Sequence, residues 1–168
     1  VLSDTGIRAG ASAASGSGGY EIEKSLRFDQ DDGAYLTRTP SSTGDTKKFT
    51  YSGWVKKCDH DGDTHYLLAA ISGGNVFIIG FETDFFYVYN PAGVIYSAQK
   101  LRDPSAWYHL VVAVDTDQTT DTDRVKMWVN NVRVTEYNSA THPAQAATTV
   151  FNTSAVPMTI GKYSSALG

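Results

Sequence analysis

Apolar residues fall along this chain in short runs, parted about every ten residues by Gly, Asn, Asp, Ser or Pro, the rhythm of an antiparallel sandwich or barrel. The runs predict strands at Ser25–Phe28, Ala34–Thr37, Phe49–Lys57, His65–Ile71, Val76–Phe81, Phe85–Tyr89, Gly93–Ser97, Trp107–Asp115, Arg124–Val129, Val132–Tyr137 and Met158–Lys162. Several alternate with period two. Tyr108, Leu110, Val112 and Val114 form one apolar face, and His109 and Asp115 share the other with Val111 and Ala113. Further on, Val125, Met127 and Val129 face one way, Lys126 and Trp128 the other. Two hairpins are marked. Asn130-Asn131 is a two-residue loop between Val129 and Val132, because Asn tolerates the positive φ of a type I′ turn. Ser72-Gly73-Gly74-Asn75 joins two apolar strands in the same manner. No segment carries a 3.6-residue apolar stripe over three turns.

Residues 1–19 are rich in Gly, Ala and Ser and have little to bury, the composition of a linker or N-terminal arm. Residues 20–168 are expected to form one domain. The stretch from Asn138 to Pro157 is long and irregular, and such loops are usually functional or mobile.

Composition sharpens the fold class. Fourteen Asp stand against four Glu, and Asp favours turns where Glu favours helices. With 12% aromatic residues, the mixture suits pleated, half-buried surfaces. The net charge of −4 gives no drive toward nucleic acid, and no apolar run approaches the ~20 residues of a membrane-spanning helix. The N-terminus lacks the basic-then-apolar profile of a signal peptide. Cys58 is the single cysteine, which excludes an internal disulfide. That fits assembly in a reducing cytoplasm followed by later exposure, as for a virion part.

The segments SLRFDQDDGAYLTRTPSSTGD, FTYSGWVKK, RDPSAWYHLVVAVDT, DRVKMWVNNVRVTEYN and MTIGKY carry a resemblance. So does the order Trp54-Val55-Lys56, Trp107-Tyr108-His109, Val129-Asn130-Asn131-Val132. From Ser25 to Gly161 the chain resembles the concanavalin A-like, laminin G-like domains common in bacteriophage tail proteins. The resemblance implies an all-β, two-sheet antiparallel jelly-roll sandwich and a place on the virion surface. It implies no particular ligand, since lectins, glucanases and structural modules share this fold. It also implies a further aromatic-rich strand after Met158–Lys162, so an unpaired edge is expected beside that segment.

Glycoside hydrolysis needs two flanking carboxyl groups, and glucanases of the fold carry Glu-x-Asp-x-x-Glu on one strand. The nearest sequence, Glu21-Ile22-Glu23-Lys24, has no third acid in register, and Glu82 and Glu136 lie in separate strands. No nucleophile elbow or phosphate-cradling glycine loop is present. The expectation is that the domain is not an enzyme. Asp59, Asp61 and Asp63 alternate in a loop and suggest hard oxygen ligands for calcium. Position 12 counted from Asp59 is Ala70, so this is no EF-hand, and a solvated hairpin tip is the plainer reading. Asp117, Asp121 and Asp123, with Asp29, Asp31 or Asp32, make a second calcium candidate. The four histidines form no zinc-like cluster. Trp54, Trp107 and Trp128 are assigned to the core as large strand rings, whereas Tyr87, Tyr89 and Tyr96 alternate along adjoining strands and form either an outward-facing sugar-stacking platform or a buried or inter-subunit surface.

The function expected is a non-catalytic tail-fibre-type module that binds glycan or another host-surface receptor. Other virion chains are further partners, and self-association into a homo-oligomer is compatible with the role. The alternatives are a purely structural virion protein and, behind it, a glycan-cleaving enzyme.

Overall fold

The computed structural model describes residues 25–28, 33–57, 63–90 and 92–163. These hold β1 (Leu36–Arg38), β2 (Lys48–Lys56), β3 (Thr64–Ser72), β4 (Asn75–Glu82), β5 (Phe85–Asn90), β6 (Gly93–Lys100), β7 (Trp107–Asp115), β8 (Val125–Val129), β9 (Val132–Arg133), β10 (Tyr137–Ala140) and β11 (Met158–Ile160). Among the described residues the only helix is a 3-10 turn at Asp121–Asp123, and no helix is long and apolar enough to cross a membrane. The strands form a seven-stranded sheet in the order β1-β11-β3-β4-β5-β6-β10 and a four-stranded sheet in the order β2-β7-β8-β9. All pairings are antiparallel, and the two sheets make a β-sandwich.

The alternation of apolar residues explains the packing. Leu110, Val112, Val125, Met127 and Val129 point inward from the four-stranded sheet. They meet Phe77, Ile79, Phe81, Phe86, Val88 and Ile95 from the other sheet. The Val132–Tyr137 run, expected as one strand, instead divides between sheets as β9 and β10. The amide of Val134 still reaches back to Met127 O (2.8 Å), while Glu136 O already accepts the Ala98 amide on the other sheet (3.0 Å). The chain thus turns the sandwich corner within these residues. Ser25–Phe28, also expected as a strand, is irregular.

Two further expectations are corrected. β11 has β1 on one side and β3 on the other, so no open edge lies beside it. Trp54 and Trp107 are not core residues: they point away from the other sheet and are 55% and 49% exposed. Trp128 is only half-buried.

The turns show where backbone conformation dictates sequence. Asn130 and Asn131 (φ 50° and 66°) and Gly73 and Gly74 (φ 55° and 82°) take the left-handed geometry that two-residue hairpins demand. The β4–β5 hairpin does the same with Thr83 and Asp84 (φ 47° and 70°). A β-branched residue is strained there, at a cost of about 1–2 kcal/mol. Thr83→Gly should relieve most of that strain, and urea denaturation should show a stability gain of about 1 kcal/mol.

Asp84 has a reason to occupy this strained turn. Its carboxylate lies 2.5 Å from the ammonium of Lys57, just past the end of β2, and 3.5 Å from Arg102 Nε. The Lys57 side chain is almost wholly buried, so this ion pair ties the end of one sheet to a turn of the other.

Candidate functional site

The outer face of the four-stranded sheet follows from strand register. Thr50, Ser52, Trp54 and Lys56 of β2 stand opposite Ala113, Val111, His109 and Trp107 of β7. On the far side of β7, Val111 pairs with Trp128 and Ala113 with Lys126, and Trp128 in turn pairs with Arg133. Three indole rings therefore share one face with small and polar side chains. Neighbouring strands lie about 5 Å apart, so these rings span three adjacent strands within roughly 10 Å across the sheet.

His109 sits at the centre of this face and is held firmly. Its ring stacks on Trp54 with centroids 5.1 Å apart and planes at 29°. Nδ1 is 3.2 Å from Asn131 Oδ1, and Nε2 is 3.1 Å from Ser52 Oγ. A carbonyl oxygen only accepts, so the Asn131 contact requires the proton on Nδ1, and in that tautomer of the neutral ring Nε2 accepts from the Ser52 hydroxyl. The side chain of Asn130 accepts the His109 amide (2.8 Å), fixing the turn that presents Asn131. Beside this chain of hydrogen bonds, Val111, Ala113, Trp128 and Asn131 line a shallow depression of about 330 Å³.

The outer face of the seven-stranded sheet carries the tyrosines. Tyr87 and Tyr96 are direct cross-strand partners with ring centroids 5.7 Å apart, and Tyr89 stands two residues along from Tyr87. The alternation expected of them is present, but their accessibility differs. Tyr89 is 40% exposed, whereas Tyr87 is 3% exposed and offers no open ring face. The cause is Gly80 on β4, where a Cβ would stand 3.0 Å from the Tyr87 ring and 2.2 Å from the His65 carbonyl oxygen. Tyr87 lies over this gap, flanked by Tyr66, Tyr96 and Val94. The Tyr96 hydroxyl donates to the Glu82 carboxylate.

Burial raises the phenol of Tyr87 far above its ordinary value. Burial, aided by the Glu82 hydrogen bond, pushes Tyr96 up to about 12, and burial alone pushes the inward-facing Tyr51 of β2 to about 12. An unperturbed tyrosine ionises near 10.0, so between pH 10 and pH 12 the unfolded chain releases protons that the folded chain keeps. Stability is therefore full below pH 10 and falls as pH rises toward 12. Urea midpoints across this range should show the fall, and Tyr51→Phe should make it shallower.

The acidic loops arrange themselves around lysines and arginines. Asp117 pairs with Lys47 (3.5 Å) and Lys48 (3.2 Å). Asp123 contacts Lys126 (3.1 Å) and Arg133 (3.4 Å), and these cations hold its carboxyl below the usual range. Asp121 accepts the Thr122 amide in the 3-10 turn. Arg124 crosses beneath this loop, donating to Gln118 O, Thr119 O and Pro143 O. Among the described residues, no group of three or more His, Cys, Asp and Glu side chains is placed to hold a metal ion. Asp63 is described and exposed, whereas Asp59 and Asp61, like Asp29, Asp31 and Asp32, lie outside the described residues.

No family model, no curated protein and no solved structure matches the chain. The site therefore rests on its own geometry. Sequence reasoning placed Trp54 and Trp107 in the core and singled out neither Ser52 nor Asn131 as a site residue, although for Trp54 the signal was present. Trp54 alternates in step with Lys48, Thr50, Ser52 and Lys56, which are polar, and not with Phe49, Tyr51 and Val55.

Proposed function

We propose that this domain is a non-catalytic, tail-fibre-type binding module of the jelly-roll kind, displayed on a virion surface. It binds glycan through the outer face of its four-stranded sheet. The observation that carries the reading is the pair of half-exposed tryptophans, Trp54 and Trp107, beside the Ser52–His109–Asn131 hydrogen-bond chain. Large exposed apolar rings are uncommon on a sheet face without a purpose. A sugar ring presents an apolar C–H face that stacks on indole and hydroxyls that need donors and acceptors. Trp supplies the first through its wide ring and the second through its N–H, while Ser52 and Asn131 add further polar groups. On the opposite face Tyr89 and Tyr96 offer a smaller aromatic surface, which makes them the subsidiary candidates.

The resemblance to phage tail domains supports the host surface as the place where such a ligand is met. The test is a glycan array probed with the purified domain and with the Trp54→Ala/Trp107→Ala variant. Binding to a defined set of glycans that the variant loses is the expected result. An empty array would favour the purely structural virion role, and release of reducing sugar from a bound glycan would restore the enzyme reading.

A further inference from the structure

The chain that follows β10 is fastened to the acidic loop by a small set of bonds. Arg124 Nη1 donates to Pro143 O (2.9 Å) and the Ala146 amide to Thr116 O (2.8 Å). The Thr116 hydroxyl donates to Ala147 O (2.7 Å) and Gln145 Nε2 to Asp117 O (3.3 Å). Separate bonds hold the chain on either side: the Thr141 amide donates to Val94 O (2.9 Å) and the Thr149 amide to Thr46 O (3.1 Å). Between these anchors only Pro143 is buried, so little apolar surface keeps residues 142–147 in place. Ala146 is left-handed (φ 59°), which strains a residue that has a Cβ. The segment is thus held shut, under strain, by its contacts with one neighbouring loop.

His142 stands at the head of this segment. Its Nδ1 is buried with no hydrogen-bond partner among the described residues. Its ring stands edge-on to Tyr137 of β10, with centroids 6.0 Å apart and planes at 86°. The charged groups facing it are Asp121 of the 3-10 turn and Arg124 just beyond that turn. A neutral imidazole can leave Nδ1 bare and keep its hydrogen on Nε2, but an imidazolium carries hydrogens on both nitrogens. Proton uptake therefore buries an N–H without an acceptor and adds a positive charge near Arg124. Pro143, whose carbonyl Arg124 holds, is the next residue, so the cost of charging His142 falls on that bond.

We propose that residues 142–147 are an acid-operated latch: protonation of His142 releases them from the Thr116–Arg124 loop while both sheets stay folded. Burial, aided by Arg124, holds the imidazole below its ordinary value of 6.5 against the pull of Asp121. The open segment takes up a proton more readily than the closed one. The closed form is therefore fully favoured above pH 6.5 and loses ground as pH falls below it. Release frees the Arg124 guanidinium from Pro143 O, while Gln118 O and Thr119 O keep it on its own loop. The latch shares no residue with the indole face, so it stands apart from the glycan reading.

The test is amide hydrogen exchange of the full 168-residue chain, followed residue by residue by nuclear magnetic resonance. It is run at about pH 8 and about pH 5, the limits between which histidine changes charge. Each rate is compared with that of an unstructured amide at the same pH. The Ala146 amide should be protected at the higher pH and lose protection at the lower, while Leu110 and Val112 in β7 keep theirs. His142→Gln cannot take up the proton, so its Ala146 amide should stay protected at both. The ring resonances of His142 in the parent chain give a second reading that needs no variant, and they should report proton uptake below pH 6.5. Four results overturn the proposal. They are an Ala146 amide equally protected at both pH values, a loss that persists in His142→Gln, β7 amides that lose protection together with Ala146, or a His142 ring that charges at or above pH 6.5.

Discussion

Asp84→Ala is expected to cost about 3–5 kcal/mol, enough to unfold much of a marginally stable domain. The alanine leaves the Lys57 ammonium in the interior with its carboxylate partner gone, and removing one member of a buried pair is far worse than removing both. The nearby Phe81 ring, 6.0 Å from Lys57 Nζ, offers only a weak substitute. Lys57→Met with Asp84→Asn should recover most of the loss, since Asn keeps the left-handed turn and methionine fills the buried space without charge. Urea denaturation of the two variants separates the ideas. If Asp84→Ala costs under 1 kcal/mol, the ion pair is not what clamps β2 to the β4–β5 turn.

Local rules and long-range packing divide what was legible in the sequence. β7 was readable to the residue, because its alternation and its partners agree from Trp107 to Asp115. The Asn130-Asn131 and Gly73-Gly74 turns were readable because few residues accept positive φ without strain. The break between Phe81 and Phe85 was readable too, but not its left-handed geometry, because Thr83 is strained there and Asp84 is held by Lys57 from beyond the end of β2. The corner between β9 and β10 was read through as one strand for the same reason: the contacts that divide it come from β8 and β6.

The candidate site was misjudged in an instructive way. Period two places Trp54 and Trp107 on the polar face, whereas ring size alone favours the core. In the structure, phase decided. The tyrosine face was phased correctly, yet the burial of Tyr87 depends on the missing side chain at Gly80, its direct partner on the neighbouring β4, which nothing in its own run reveals. Asp117 and Asp123 are close in sequence to other aspartates, but the cations that engage them, Lys47 and Lys48 at the start of β2, Lys126 of β8 and Arg133 of β9, are brought there by the fold, and sequence proximity carries no trace of that.

Trp54→Ala and Trp107→Ala should each leave stability within about 1 kcal/mol of the parent, because both rings are half-exposed and fill no interior space. Core placement would instead have required roughly 3–5 kcal/mol. Binding should respond in the opposite sense. Aromatic anchors at a recognition surface commonly account for about 2 kcal/mol on truncation, close to a thirtyfold loss of affinity. Asn131→Gly should retain the turn while removing the acceptor that orients His109, so a smaller loss is expected from it.

The decisive measurement is isothermal titration of the parent domain, Trp54→Ala and Tyr89→Phe/Tyr96→Phe with the strongest glycan from the array. A glycan site on the four-stranded face predicts at least a tenfold weakening by Trp54→Ala, or about 1.4 kcal/mol, with the tyrosine variant unchanged. Binding that survives Trp54→Ala and fails in the tyrosine variant would place the site on the seven-stranded face and contradict the account.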